Sequence, residues 1–234
     1  MLTSATIRYC KRALRAFAGT DHLLTRDKIV SRERIGSEYG GWVVATAPLQ
    51  RALEPVVLSF GLGDDISFDR AVISRYKAEV YGFDPTDESL AWLSTQDLPK
   101  EMRTYPIGIS NIDGKQRFTL PGTEQRGNFS AKASNGRSIE FPVMRYCSIV
   151  SMLNLSRVDI VKLDIEGSEY EVIPDLLNCD VQPTQLLIEF HHRLHQIPIA
   201  ATLRTVDLLR RSGYALFDVS PGGRELSFLR HTRE

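Results

Sequence analysis

The run VDIVKLDIEGSEYEVI (158–173) ends an apolar stretch, Val158, Ile160, Val161, Leu163 and Ile165, in the acids Asp164 and Glu166 and in Gly167. Carboxylates gathered at one point can orient a reacting hydroxyl or take its proton. A purely structural use also exists: Ser168 can cap the next helix, with Glu169 favouring its positive end. The segment IEFHHR (188–193) places Glu189 before His191, His192 and Arg193. Histidine exchanges protons near neutral pH, so His191 or His192 is the expected general base, with Glu189 orienting the ring. If Glu189 faces a site, His191 shares that face by strand alternation. The set Asp164, Glu166, Glu189 and His191 or His192 would also suit a divalent cation. No motif such as HExxH accompanies it, and the expected site carries no metal.

A second constellation lies upstream. VVLSFGLGDD (56–65) is a strand entering a glycine loop and then a helix. Gly61 and Gly63 let the backbone turn sharply and approach a ligand. Asp84 closes the next strand-like segment about 20 residues on, where a carboxylate can accept both hydroxyls of a ribose. The pairing points to an adenosine-containing cofactor without separating NAD from S-adenosylmethionine. The third glycine of GxGxxG is missing, and Asp64 and Asp65 add negative charge. That opposes a pyrophosphate and suits a ligand bearing a sulfonium and an ammonium. Asp65, Asp164 and Ser110, in the polar tip Gly108-Ile109-Ser110-Asn111, complete the expected cofactor contacts.

These residues need elements to carry them. Strand-like segments fall at 56–60, 78–83, 104–109, 158–164 and 184–190, with helix-like segments at 66–76, 87–95, 168–178 and 200–212. Such alternation implies a parallel sheet covered by helices, whose ligands bind beyond the carboxyl ends of the strands. Pro174 predicts a kink or early stop in the third helix. Residues 113–146 break the rhythm with Asp113-Gly114, Pro121-Gly122 and Asn135-Gly136 around extended pieces, and read as an antiparallel insertion. After Gly213, two strand-like runs flank Pro221-Gly222-Gly223, the pattern of a hairpin. Residues 1–34 form a basic helical arm containing Arg8, Lys11, Arg12 and Arg15, expected to pack over the active end of the sheet. A peripheral membrane contact through this arm is the second reading. Residues 35–234 form the single main domain.

Composition sets outer bounds. The 234 residues are 42% hydrophobic and 25% charged, with zero formal net charge. A broad nucleic-acid footprint needs a basic excess, so no nucleic-acid partner is expected. No apolar run approaches the ~18 residues of a membrane span, and no secretory signal is visible. Cys10, Cys147 and Cys179 are scattered without a CxxC pair. Neither a zinc site nor a disulfide is expected, and a cytoplasmic location follows.

Together the segments IGSEYGGW (35–42), SFGLGDDISFD (59–69), VYGFDPT (80–86), GIS (108–110), VDIVKLDIEGSEYEVI (158–173), LLIEFHHR (186–193) and GYALFDVSPGGRELSF (213–228) resemble the FkbM family of methyltransferases, in family order. The resemblance implies an α/β, Rossmann-like class I methyltransferase fold, a mostly parallel sheet ending in an antiparallel hairpin, with S-adenosyl-L-methionine as cofactor. It implies O-methylation of a hydroxyl on a sugar or other small-molecule or glycan acceptor. Gly61, Gly63 and Asp84 would hold the cofactor, and Asp164 and Glu166 would line the methyl-transfer site. Ser59 departs from the acid that many class I methyltransferases carry before the glycine loop. The competing readings are a NAD-dependent dehydrogenase and a cofactor-binding module without turnover.

Overall fold

A computed structural model describes residues 3–119, 138–193 and 197–231. In chain order the elements are α1 (Ser4–Phe17), β1 (Arg32–Ile35), β2 (Trp42–Ala45), α2 (Thr46–Arg51), β3 (Val56–Phe60), α3 (Ser67–Tyr76), β4 (Glu79–Phe83), α4 (Asp87–Leu93), β5 (Met102–Tyr105), β6 (Gly108–Ile109), β7 (Gly114–Thr119), β8 (Ser138–Met144), α5 (Tyr146–Met152), β9 (Ile160–Leu163), α6 (Glu169–Leu176), β10 (Gln185–Glu189), α7 (Ile199–Arg211), β11 (Tyr214–Val219) and β12 (Glu225–Arg230). The main sheet has seven strands in the order β11-β12-β10-β9-β3-β4-β5. Its inner strands are parallel, and β12 runs antiparallel to both β10 and β11. The hairpin expected around Pro221-Gly222-Gly223 is therefore present, and β12 lies between its partner and the parallel strands.

The central strand β3 reads VVLSF and is buried at every position. Side chains on a strand alternate between faces, and the core divides accordingly. Leu58, Phe60, Val161, Leu163 and Ile188 pack on one side of the sheet. Val57, Val80, Ile160 and Leu187 pack on the other, with Trp42, Phe68 and Val72. With both faces covered, a near-continuous apolar strand is the stable solution.

The expected 104–109 strand divides in two. Pro106 has no N–H for the ladder, so β5 ends at Tyr105, and β6 joins a separate sheet ordered β6-β8-β7. In that sheet β7 and β8 are antiparallel, while β6 and β8 are parallel. The turns at Pro121-Gly122 and Asn135-Gly136 lie outside the described residues. Pro174 stands inside α6, which stops two residues later.

The arm boundary expected at 34/35 falls inside β1, which pairs antiparallel with β2. Arg12 of α1 is buried, donating from Nε to the His22 carbonyl (2.8 Å) and from Nη1 to the Ser220 carbonyl (3.4 Å). Asp27 pairs with Arg210 (2.7 Å) and accepts from the Leu216 amide (3.0 Å). The first helix and its following loop are thus fastened to the last hairpin. The expectation of unpaired cysteines is corrected: Cys147 and Cys179, 32 residues apart, are joined by a disulfide linking α5 to the loop after α6. No helix is long and apolar enough to cross a membrane among the described residues.

Candidate active site

The carboxyl ends of β3, β4, β9 and β10 open into a cavity of about 1230 Å³. Its floor is the glycine loop. Gly61 has φ +76°, and the Asp164 carbonyl comes so close that a Cβ there would lie 1.8 Å from it. Lys162, reaching across from β9, donates to the Gly61 carbonyl at 2.7 Å and fixes the loop from below. Gly63 has φ +55°, and a Cβ there would meet nothing within 4 Å, so open space lies over this part of the loop.

Asp84 and the glycine loop are joined directly. The Gly63 amide donates to Asp84 Oδ2 at 3.0 Å, and Thr86 donates to Oδ1 from its amide (2.9 Å) and hydroxyl (2.6 Å). Ser89 of α4 donates to the Gly63 carbonyl at 2.9 Å. Strand β4 therefore delivers a pre-oriented carboxylate to the cavity rim. Asp65 also lines the cavity, with its carboxylate already engaged. It accepts from Ser37 Oγ (2.8 Å) and the Ser67 amide (2.7 Å), tying the 36–41 turn to the loop. Burial pushes the Asp65 carboxyl up, but Ser67, Ser37 and nearby Lys162 hold it below the usual range.

The ends of β9 and β10 and the first residue of α6 bring four acids around one imidazole. His191 Nδ1–H donates to Glu169 Oε1 at 2.7 Å. Its Nε2 faces Glu166 Oε2 at 3.5 Å, Asp164 Oδ1 at 3.7 Å and Glu189 Oε1 at 4.0 Å. Arg224 reaches Glu189 at 2.9 Å. Glu189, His191 and Arg193 all line the cavity, as strand alternation predicts.

Protonation alters the expected roles. Burial acts to lower the His191 pKa, but Glu169, Glu166 and Asp164 together raise it to about 10. The surrounding acids thus favour the protonated ring, which works against a neutral-base role for His191. Burial, with Asp164 and Glu169 adding repulsion, raises Glu166 to about 7 against the pull of His191. Burial and Asp164 push Glu189 upward as well.

The structure does not bring every expected residue to the cavity. His192 points to the opposite side of its segment, with its side chain fully buried, Nε2 3.4 Å from Asp21 and Nδ1 3.2 Å from the Thr202 hydroxyl. Ser110 is buried in the insertion, bonding Gln116 at 2.5 Å; only its neighbours Gly108 and Ile109 reach the cavity wall. Lys162 and Glu169 escaped the sequence reading. Their signals were a lysine inside an apolar strand and a third acid within DIEGSE. The far rim is basic, formed by Arg8, Lys11 and Arg15 of α1 with Arg34, Arg193 and Arg224.

A parallel sheet closed by a reversed hairpin, a glycine loop hydrogen-bonded to an acid on the next strand, and an acidic floor together define a class I methyltransferase. The open space above Gly63 and the Asp84 carboxylate fit the cofactor, S-adenosylmethionine. The chain belongs to the FkbM family: the profile described as "Methyltransferase FkbM domain" matches residues 22–216. Among solved structures it is similar to the Methanococcus jannaschii fibrillarin pre-rRNA processing protein, at 10% identity over 90% of this chain and 87% of that one, with TM-score 0.48. It is also similar to M. jannaschii TYW2 in complex with AdoMet, at 11% identity over 90% of each chain and TM-score 0.35. A transferase from Pyrococcus horikoshii shares 10% identity over 95% of this chain and 81% of that one, with TM-score 0.35. No curated protein sequence matches significantly.

Proposed function

We propose that the protein methylates a hydroxyl of a sugar or another small polar acceptor, with Glu166 as the proton acceptor. The observation that carries this reading is the Glu166 carboxyl in the cavity wall, raised to about 7 beside the glycine loop. A base is most effective when its pKa lies near the working pH. S-adenosylmethionine, held by Gly61, Gly63 and Asp84, would supply an electrophilic methyl group for the acceptor oxygen. Glu166 takes the hydroxyl proton, while Asp164 and Glu189 hold the hydroxyl in line. His191, whose pKa Glu169, Glu166 and Asp164 raise against the effect of burial, limits the charge that builds among them. Alignment contributes ~7–11 kcal/mol. A base adds about 10²–10⁴-fold, or roughly 3–5.5 kcal/mol, so positioning dominates. The basic rim from α1 favours acceptors that carry negative charge near the reacting hydroxyl.

Calorimetric titration with S-adenosylhomocysteine and with NAD, followed by mass spectrometry of hydroxylated glycosides incubated with S-adenosylmethionine, tests the reading. Binding of S-adenosylhomocysteine and a methylated product are expected. Glu166→Gln should lower turnover about 10²–10⁴-fold with cofactor affinity kept. Binding of NAD alone would replace the proposal with a dehydrogenase, and S-adenosylhomocysteine binding without transfer across the panel would reduce it to a binding module.

A further inference from the structure

We propose that Asp164, Glu166 and His191 bind a divalent cation of the manganese(II) type, which holds the acceptor hydroxyl; the inference deepens the methyltransferase reading and rests on it for the identity of that acceptor. Geometry comes first. The three carboxylate oxygens facing His191 Nε2 stand 3.5, 3.7 and 4.0 Å away. Charge-assisted hydrogen bonds would draw at least one of them to about 2.7–2.9 Å. Donors held ~2.1 Å from a common ion instead lie roughly 3.0 Å apart at a right angle and ~4.2 Å apart when opposed. The Glu166 and Asp164 separations fall inside that interval, whereas the Glu189 oxygen is held by Arg224 at 2.9 Å. The donor atoms of Asp164, Glu166 and His191 also lie within 4.8 Å of one another.

Unmet bonding capacity is a second observation. The His191 side chain is 3% exposed, and its Nε2 is aimed into the group of acids. Glu166 Oε2, the atom nearest to it, is buried without a hydrogen-bond partner. The other ring nitrogen already donates to Glu169, a wholly buried carboxylate behind the ring. A carboxylate on one imidazole nitrogen that leaves the other free is the arrangement that orients metal-bound histidines. The ion would replace the Nε2 proton and leave the Nδ1 bond intact.

Charge balance agrees. Asp164, Glu166, Glu169 and Glu189 bring four carboxylates to one His and one Arg224. Hard oxygen donors with one imidazole suit manganese(II) better than a thiolate-seeking ion. Asp164 and Glu166 keep partial exposure to the cavity, so open coordination positions would face the acceptor. The ion would polarise the bound hydroxyl.

A neighbouring group, Asp21, His22 and His192, has similar residue types and the wrong surroundings. Arg12 lies 3.3 Å from His22 Nδ1, Arg193 pairs with Asp21, and His22 Nε2 donates to the Gly223 carbonyl at 2.8 Å. Two guanidinium groups repel a cation there, and His22 has no free nitrogen.

The test is titration of chelator-treated protein with manganese(II) chloride, following the free ion by electron paramagnetic resonance. One ion per chain is expected. Glu166→Gln and His191→Gln should each weaken binding at least tenfold, and His192→Gln should not. Calorimetry with S-adenosylhomocysteine on the same samples reports both folding and the cofactor site. Failure of the wild-type protein to bind manganese below millimolar concentration, while S-adenosylhomocysteine binds, would overturn the cation site and leave the methyltransferase reading standing. Manganese binding without S-adenosylhomocysteine binding would support the site and remove that reading. Manganese affinity unchanged in both folded ligand variants would overturn the assignment.

Discussion

Alanine placed at each glycine of the 61–63 loop should separate its two duties. At Gly61 the φ of +76° costs an alanine ~1–2 kcal/mol. The new Cβ would also lie 1.8 Å from the Asp164 carbonyl, whereas real Cβ contacts essentially never fall below 3.0 Å. The ends of β3 and β9 must therefore part by roughly 1 Å, and overpacking of this kind costs about 1–3 kcal/mol. The sum, roughly 2–5 kcal/mol, should lower the melting temperature by about 4–20 °C at ~2–4 °C per kcal/mol for a domain of this size. Asp164 moves with its carbonyl, and a ~1 Å misplacement can cost about 10²-fold in turnover. Gly63→Ala carries only the left-handed strain of ~1–2 kcal/mol, because nothing lies within 4 Å. Its methyl occupies the cofactor's space, so affinity for S-adenosylhomocysteine should fall tenfold or more while the melting temperature drops by less than about 8 °C. Differential scanning fluorimetry and calorimetric titration measure both effects. A Gly61→Ala protein as stable as wild type, or a Gly63→Ala protein with unchanged affinity, would refute this division of roles.

Asp84→Ala should weaken S-adenosylhomocysteine binding about 10- to 150-fold, the equivalent of ~1.5–3 kcal/mol for hydrogen bonds to a charged group; an unchanged dissociation constant in folded protein would remove Asp84 from the site. His192 is held near 4 by burial, helped by His22 and Arg193 and opposed by Asp21. A lowered pKa gives stability that is complete above the ordinary value of about 6.5 and lost as pH falls toward 4. Wild type should therefore lose on the order of 3 kcal/mol over that window in urea titrations, and His192→Gln should show a flatter profile; parallel profiles would count against it. Replacing Arg8, Lys11 and Arg15 together by Ala should raise the Michaelis constant for an anionic acceptor more than that for the cofactor. This triple variant is a cleaner probe than deletion of residues 1–34, which would remove most of β1; equal effects on both constants would argue against an entrance role.

The parallel core was legible because burial on both faces leaves a plain signature. The apolar runs of β3, β4, β9 and β10 stand where continuous hydrophobicity indicated. Strands β1 and β2 carried no such signal: RERI is mostly polar, and the pair is held by contacts remote in sequence, such as Gln185 bonding both backbone groups of Ala45. The disulfide was invisible for the same reason, since only the fold brings Cys147 and Cys179 together. At the site, the glycine loop, Asp84 and the acid–histidine segments could be located. Protonation could not, because it depends on Glu169 approaching His191 from another element. The side of His192 follows from alternation once Glu189 is placed, and Ser110 stands away from the cavity lining, just after the strand that follows the break at Pro106.

Arg12 has a consequence for the order in which the molecule is made. Its guanidinium is clasped by carbonyls at His22, Leu24 and Ser220, the last of these 208 residues downstream. At about 5–20 residues per second on a ribosome, α1 would wait roughly 10–40 s for that clasp to emerge. During this interval Ile7, Leu14 and Phe17, exposed even in the finished protein, belong to an untethered helix. A ribosome that stopped before β11 would leave β10 as a bare sheet edge, open to pairing with other chains. The final hairpin thus acts as a latch on the product of translation, closing the sheet and seating the first helix in one event.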